Sequence, residues 1–182
     1  MEPERLTLKD GRSVLIRRAK AGDGELMREY LCVLGASTPY ILTFPGDLRT
    51  ASVYEENVEK ALRGEFYSLC AIDPEDGSII ACSSFHFGNR VKTAHVASLG
   101  TGVIPKWQGV GLGSWMLGRA IRDMKEDPKI QRLELAVMKG NDHAQRMYER
   151  AGFLVEGCKV RSNRQPDGSY SDEILMGLWI GD

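Results

Sequence analysis

The sequence predicts a mixed α/β fold, an α+β arrangement of about seven strands and four helices around one sheet. Three observations lead there. Short runs rich in Val, Ile and Leu alternate with segments of helical periodicity. A strand-helix-strand unit from Thr93 to Val137 requires two parallel strands, because only a crossover connection joins strands in that sense. Turn signals at Pro74-Glu75-Asp76-Gly77 and Pro166-Asp167-Gly168 fold their flanking runs into hairpins.

In chain order, Ser13 to Ala19 reads as a first strand. Gly22 to Leu34 follows as a helix with Leu26, Tyr30, Leu31 and Leu34 at helical spacing. Residues 35–50 form a loop bearing Pro39, Tyr40, Phe44 and Pro45, long enough to suggest a functional role. Ala51 to Arg63 is a second helix, and Phe66 to Ile72 pairs with Ile79 to Phe87 across the first hairpin turn. Thr93 to Val103 is a strand with small residues Ser98, Gly100 and Gly102 near its end, which admit a close neighbour. Gln108 to Glu126 is the longest helix, with Trp115, Met116, Leu117, Ala120, Ile121 and Met124 on its apolar side. Arg132 to Val137 is a short strand. Asn141 to Arg150 is a helix, with Ala144, Met147, Tyr148 and Ala151 on one stripe and Gly152 as its stop. Phe153 to Arg161 and Tyr170 to Trp179 close the chain as a hairpin.

The chain has 182 residues, which suits one domain over 1–182 with a core of its own. Lys and Arg number 24 against 25 Asp and Glu, for a net charge of -1. That balance speaks against a nucleic-acid partner, whose phosphates call for a basic surplus. Cys32, Cys70, Cys82 and Cys158 never fall into C-x-x-C spacing, so buried reduced thiols are expected and no metal site. A charged N-terminus and the lack of an 18-residue apolar run make a cytoplasmic address the expectation, with no membrane partner.

The sharpest feature is Gln108-Gly109-Val110-Gly111-Leu112-Gly113, at the start of the longest helix. First-turn amides of a helix lack internal partners, and the helix dipole makes that end partially positive. Glycines let a phosphate approach those amides, so the segment reads as a pyrophosphate cradle, or else as a glycine-rich helix start with no ligand. A dinucleotide fingerprint fails in both registers, because Ser114 and Met116 stand where glycine is needed. P-loop spacing from Gly113 to Gly118 fails too, since Arg119 and Ala120 replace the required Lys and Ser or Thr.

The Gln-x-x-Gly-x-Gly block, following a Val-x-Pro strand end, resembles the acetyl-CoA pyrophosphate loop of the GNAT superfamily of N-acetyltransferases. A second block, Asn141, Ala144, Tyr148, Gly152 and Phe153, is similar to that family's N-x-x-A-x-x-x-Y-x-x-x-G-F pattern. The last hairpin resembles bacterial members related to amino-acid and ribosomal-protein N-acetyltransferases. The resemblance implies a GNAT-like fold and acetyl-CoA as co-substrate. It places the pantetheine arm along Leu99 to Val103, with Thr101, Gly102 and Val103 contributing. The pyrophosphate would lie on Gln108, Gly109, Val110, Gly111, Leu112, Gly113 and Ser114. Asn141 would bond the cofactor arm, and Tyr148 would protonate the departing CoA thiolate. Read without the family, Tyr148 is a core aromatic and Asn141 a helix cap.

The implied reaction is direct attack by a primary amine in a ternary complex, the oxyanion held by a main-chain amide of Leu99 to Val103. Deprotonating a lysine-like ammonium at pH 7 costs about 4–5 kcal/mol, so a base should assist. In the ribosomal-protein enzymes a glutamate serves five residues before the motif asparagine; here that position is Ala136, and the role does not transfer. His95, read as the start of the strand that continues through Ala97, Leu99 and Thr101, is the candidate relay, ahead of Glu134. His86 and His143 have no motif behind them. The acceptor wall is expected from residues 35–50 and the final hairpin, with Tyr40, Phe44 and Arg49 as candidates. The acceptor is a small amine of amino-acid, antibiotic or polyamine type. The alternatives are a protein N-terminus or a non-catalytic acyl-CoA sensor. A homodimer is suggested by Ile174, Leu175, Met176, Leu178 and Trp179, an apolar run longer than one buried face needs.

Overall fold

The computed structural model describes residues 2–181. In chain order the described residues form β1 (Glu4–Thr7), β2 (Ser13–Arg18), α1 (Gly24–Ser37), α2 (Ala51–Leu62), β3 (Phe66–Ile72), β4 (Ile79–Phe87), β5 (Val96–Val103), α3 (Leu112–Lys125), β6 (Arg132–Met138), α4 (Asp142–Arg150), β7 (Leu154–Arg164) and β8 (Tyr170–Trp179). Short 3-10 turns lie at Pro45–Asp47 and Pro105–Trp107. One eight-stranded sheet runs β1-β2-β3-β4-β5-β6-β8-β7. The strand count exceeds the expected seven by β1. Its four residues lie in the charged N-terminal stretch, with no apolar run to mark them.

Alternating side chains feed two cores. On one face Leu69, Ala71, Phe85 and Ala97 pack against Met116, Leu117 and Ala120 of α3 and Tyr148 of α4. On the other, Cys70, Ile72 and Cys82 pack against Tyr30 and Leu34 of α1 and Val58 of α2. The start of α1 is fixed to β2 by a buried ion pair, Arg17 Nη2 to Asp23 Oδ1 at 2.8 Å.

All neighbouring strands pair antiparallel except β5 and β6, which are parallel over only Val96–Ser98 and Arg132–Glu134. Beyond Ser98 the two strands separate. The Gly88 amide bonds to the Val96 carbonyl, and the Ile104 amide to the Ile80 carbonyl. These bonds fix which β5 residues face β4. By alternation Leu99, Thr101 and Val103 turn their backbone groups the other way, toward β6; the Ser98–Glu134 row still takes the Leu99 amide, so the opening begins at the Leu99 carbonyl. This wedge is the feature around which the rest of the molecule is arranged.

The apolar run in β8 belongs to an interior strand, paired with β6 on one side and β7 on the other. The expectation of buried thiols changes in one case. Cys158 is exposed on the edge strand β7, whereas Cys70 and Cys82 are buried and free. Among the described residues, no helix is long and apolar enough to cross a membrane.

Candidate functional site

The long helix begins at Leu112, four residues later than its periodicity suggests, and Gln108–Gly111 form the loop before it. Gly109 and Gly111 both take left-handed backbone, with φ of 75° and 90°, which side-chain-bearing residues rarely adopt. A side chain at Gly109 would meet nothing within 4 Å, so the loop's outer surface is open. Leu112 is buried and presents only its backbone, while Ser114 is exposed. Gln108 does not reach outward: its Nε2 donates to the Val103 carbonyl at 2.7 Å, closing the turn between β5 and the loop.

The missed β1–β2 hairpin buttresses this loop. Lys9 donates its amide to the Val110 carbonyl at 3.4 Å, and its aliphatic stem lies against Gly111. Arg12 stacks on Trp107 and donates to the Lys106 carbonyl at 3.0 Å. Lys9 therefore lays its exposed side chain beside the glycine loop. Nothing in its local sequence marks it, because the contact joins residues far apart in the chain.

Along β5 the expected residues divide. The backbones of Thr101 and Val103 face the wedge, and the Thr101 hydroxyl is engaged with Ser83 at 2.8 Å. Gly102 faces the other way, paired with Cys82, and its carbonyl accepts the Tyr30 hydroxyl at 3.0 Å. Its lack of a side chain serves α1: a Cβ there would lie 2.5 Å from Leu34 Cδ2. Gly102 is thus a packing glycine, and Leu99 takes its place among the residues that line the wedge.

Tyr148, in α4, is buried with its ring 6.0 Å from that of Phe153, edge to face. Its hydroxyl makes no hydrogen bond among the described residues, and burial pushes its pKa up to about 12. The phenol of Tyr30, on the opposite face, is also raised, chiefly by burial, then by Cys82 and Cys70, with Tyr148 a further contributor. Asn141 caps α4, its Oδ1 accepting the Ala144 amide at 3.3 Å, which leaves its Nδ2 as a donor. Gly113 lies between Val103 of β5 and Met147 of α4, so both motif blocks converge at the mouth of the wedge.

His95 is not part of β5. It lies in the turn before Val96, its ring 6.4 Å from Trp179, behind the three paired rows that close the wedge. That places His95 at the closed end of the wedge, away from the opening. Glu134 sits at the last of those rows, half-exposed on the α1 face, and accepts the Ser98 hydroxyl at 2.9 Å. His86 stacks on Phe66, and His143 is exposed in the first turn of α4.

Between residues 35–47 and the β7–β8 hairpin lies a groove of 830 Å³, with a smaller compartment of 410 Å³ beside it. Tyr40 and Phe44 line these spaces as expected. Arg49 does not; Arg164, Gln165 and Met138 do. Tyr40 also packs over Gly140, next to Asn141, and so joins the groove to the wedge. Arg164 was inconspicuous in the sequence because a hairpin arginine is ordinarily just solvated.

A left-handed glycine loop opening onto splayed parallel strands, with an unpartnered phenol alongside, is a combination that comparison with known proteins places. L-amino acid N-acetyltransferase AaaT of Escherichia coli is 28% identical over 101 residues, 56% of this chain and 62% of that one. [Ribosomal protein uS5]-alanine N-acetyltransferase of Escherichia coli is 31% identical over 121 residues, 66% of this chain. The match spans 61% of the length of that relative. A GNAT-family acetyltransferase structure from Streptococcus pneumoniae superposes with a TM-score of 0.85 at 25% identity, covering 91% of this chain and 99% of its own. The profile of the Acetyltransferase (GNAT) family matches residues 39–153, which include the wedge, the glycine loop and α4; the chain belongs to that family.

Proposed function

We propose that the protein transfers the acetyl group of acetyl-CoA to the primary amine of a small molecule, by direct attack with both substrates bound. The observation that carries this reading is the wedge between β5 and β6. It exposes the Leu99 carbonyl and the Thr101 amide beside the left-handed loop at Gly109 and Gly111. The co-substrate supplies an activated thioester when bound. The amides at the start of α3, with Lys9, suit its pyrophosphate, and the β5 backbone and Asn141 Nδ2 suit its amide-bearing arm.

The Thr101 amide, the first of β5 left without a partner toward β6, suits a developing oxyanion. The Tyr148 phenol, neutral at physiological pH, holds a proton for the leaving thiolate. Across the sheet, the groove by Tyr40 and Phe44 receives the amine, and Arg164 suits an acceptor that carries a carboxylate, as an amino acid does. The amino-acid N-acetyltransferase among the relatives supports that choice. A peptide N-terminus is the second reading, favoured by the 830 Å³ groove, which exceeds the needs of one amino acid, and by the ribosomal-protein relative.

The test is CoA release measured by thiol detection, with a panel of amino acids, polyamines, aminoglycosides and N-terminal peptides, alongside calorimetry with acetyl-CoA. Turnover with one class names the acceptor. Tight binding of acetyl-CoA with no turnover on any amine would favour an acyl-CoA sensor instead.

A further inference from the structure

Four polar side chains on the α1 face of the sheet form a continuous line from the closed end of the wedge to the edge strand. The Ser98 hydroxyl on β5 donates to Glu134 Oε1 on β6 at 2.9 Å. Glu134 Oε2 lies 3.7 Å from Arg132 Nε. The Arg132 guanidinium then reaches across β8 to Glu156 of β7, with Nη1 to Oε1 at 2.8 Å and Nη2 bonded to the second oxygen. That reach depends on Gly177. A Cβ on Gly177 would lie 2.3 Å from Glu156 Oε1 and 2.7 Å from Arg132 Nη2, so only glycine leaves the gap.

A solvated surface carboxylate has no need of such an arrangement. Holding two long charged side chains in one geometry costs rotamer entropy that an exposed ion pair barely recovers. This one runs through a glycine window and ends on a carboxylate in the last paired row before β5 and β6 part. Glu156 meets the guanidinium with two hydrogen bonds, so the cation is largely engaged elsewhere and its grip on Glu134 is the weaker one. His86 of β4, opposite Ser98 in the register, is the other titratable group in this row.

We infer that Glu134 is the residue that takes the proton from the acceptor ammonium, and that Ser98, Arg132 and Glu156 are positioning residues that hold it at the closed end of the wedge. The inference rests on the acetyl-transfer reading above. The N–H bond of the ammonium breaks, its proton passes to a Glu134 oxygen, and the freed lone pair forms the C–N bond at the thioester carbonyl. As the C–S bond breaks, the thiolate takes the Tyr148 proton. The attacking nitrogen gives up its second proton to restore the phenol, and Glu134 returns its own to water through its exposed side. One proton is released per turnover.

The experiment first establishes wild-type turnover and acetyl-CoA binding by calorimetry; if either is missing, the acetyl-transfer reading fails before this one is tested. Glu134→Gln is then expected to lower kcat at least about 100-fold, the usual worth of a general base, with the acetyl-CoA Kd within about twofold of wild type. Ser98→Ala should lower kcat about tenfold with KM unchanged, the worth of one hydrogen bond to a charged group, and Ser98→Thr should restore it. Wild-type kcat in Glu134→Gln, or equal losses in Ser98→Ala and Ser98→Thr, would overturn the assignment. Because Gly177→Ala could simply fail to fold, Glu156→Gln serves as the remote variant. A fall in kcat with unchanged melting temperature and acetyl-CoA Kd supports the array, and unchanged kcat removes Glu156 from it.

Discussion

The Tyr30 hydroxyl of α1 donates to the Gly102 carbonyl of β5 at 3.0 Å, and a Cβ on Gly102 would come within 2.8 Å of that oxygen. This contact holds α1 against the strand that borders the wedge. Gly102→Ala is accordingly expected to destabilise the protein by about 1–3 kcal/mol, because Leu34 and Tyr30 must both move. Urea unfolding reads the change; a loss under about 0.5 kcal/mol would show that α1 adjusts freely.

Tyr148→Phe removes the proton donor while keeping the ring against Phe153. Turnover should fall by roughly 10²–10⁴, with acetyl-CoA affinity little changed. Steady-state kinetics with calorimetry separates the two. An unchanged kcat would leave Tyr148 as a core aromatic.

The same phenol sets a pH boundary. Its folded-state pKa is about 12, raised by burial from the ordinary value near 10. A raised value favours the protonated folded form, so its contribution to stability is intact below about pH 10 and is lost as pH climbs through about 12, by about 3 kcal/mol in all. Ultraviolet difference titration of wild type against Tyr148→Phe should show one phenol ionising about two units late. A difference signal centred near 10 would contradict the burial.

Gly111→Ala places a side chain at φ 90° and 3.3 Å from the Lys9 stem. Left-handed backbone alone costs an alanine about 1–2 kcal/mol, and the loop relieves it by turning its amides. Acetyl-CoA affinity measured by calorimetry should drop about tenfold or more, while full affinity would mean the pyrophosphate is held elsewhere.

Asp23→Ala leaves the Arg17 guanidinium buried at the base of α1 without its bidentate partner. Breaking such a pair from one side costs roughly 3–5 kcal/mol. Thermal unfolding tests it, and a small shift would show that water reaches Arg17 in the variant.

Local pattern was enough to place seven strands and four helices, and to bring out the glycine loop and the α4 block, since periodicity, turn residues and short-range spacing are all written within a few residues. The resemblance of those blocks pointed to one family, which the comparisons bear out. The β1 strand escaped because four charged-flanked residues bury little of their own. His95 looked like the start of a strand because alternation continues through it, yet the register closes the wedge in front of it.

What the sequence by itself determined is thus the fold, the loop that precedes α3, and the tyrosine of α4. Tertiary structure alone decided which way each β5 residue faces, since an alternation of two has no absolute direction until α1 and α3 pack on opposite sides. It also decided that Gly102 serves packing and that Lys9 reaches the loop. The line from Ser98 to Glu156 is likewise tertiary, because sheet order β5-β6-β8-β7 brings together side chains up to 58 positions apart that no local pattern relates.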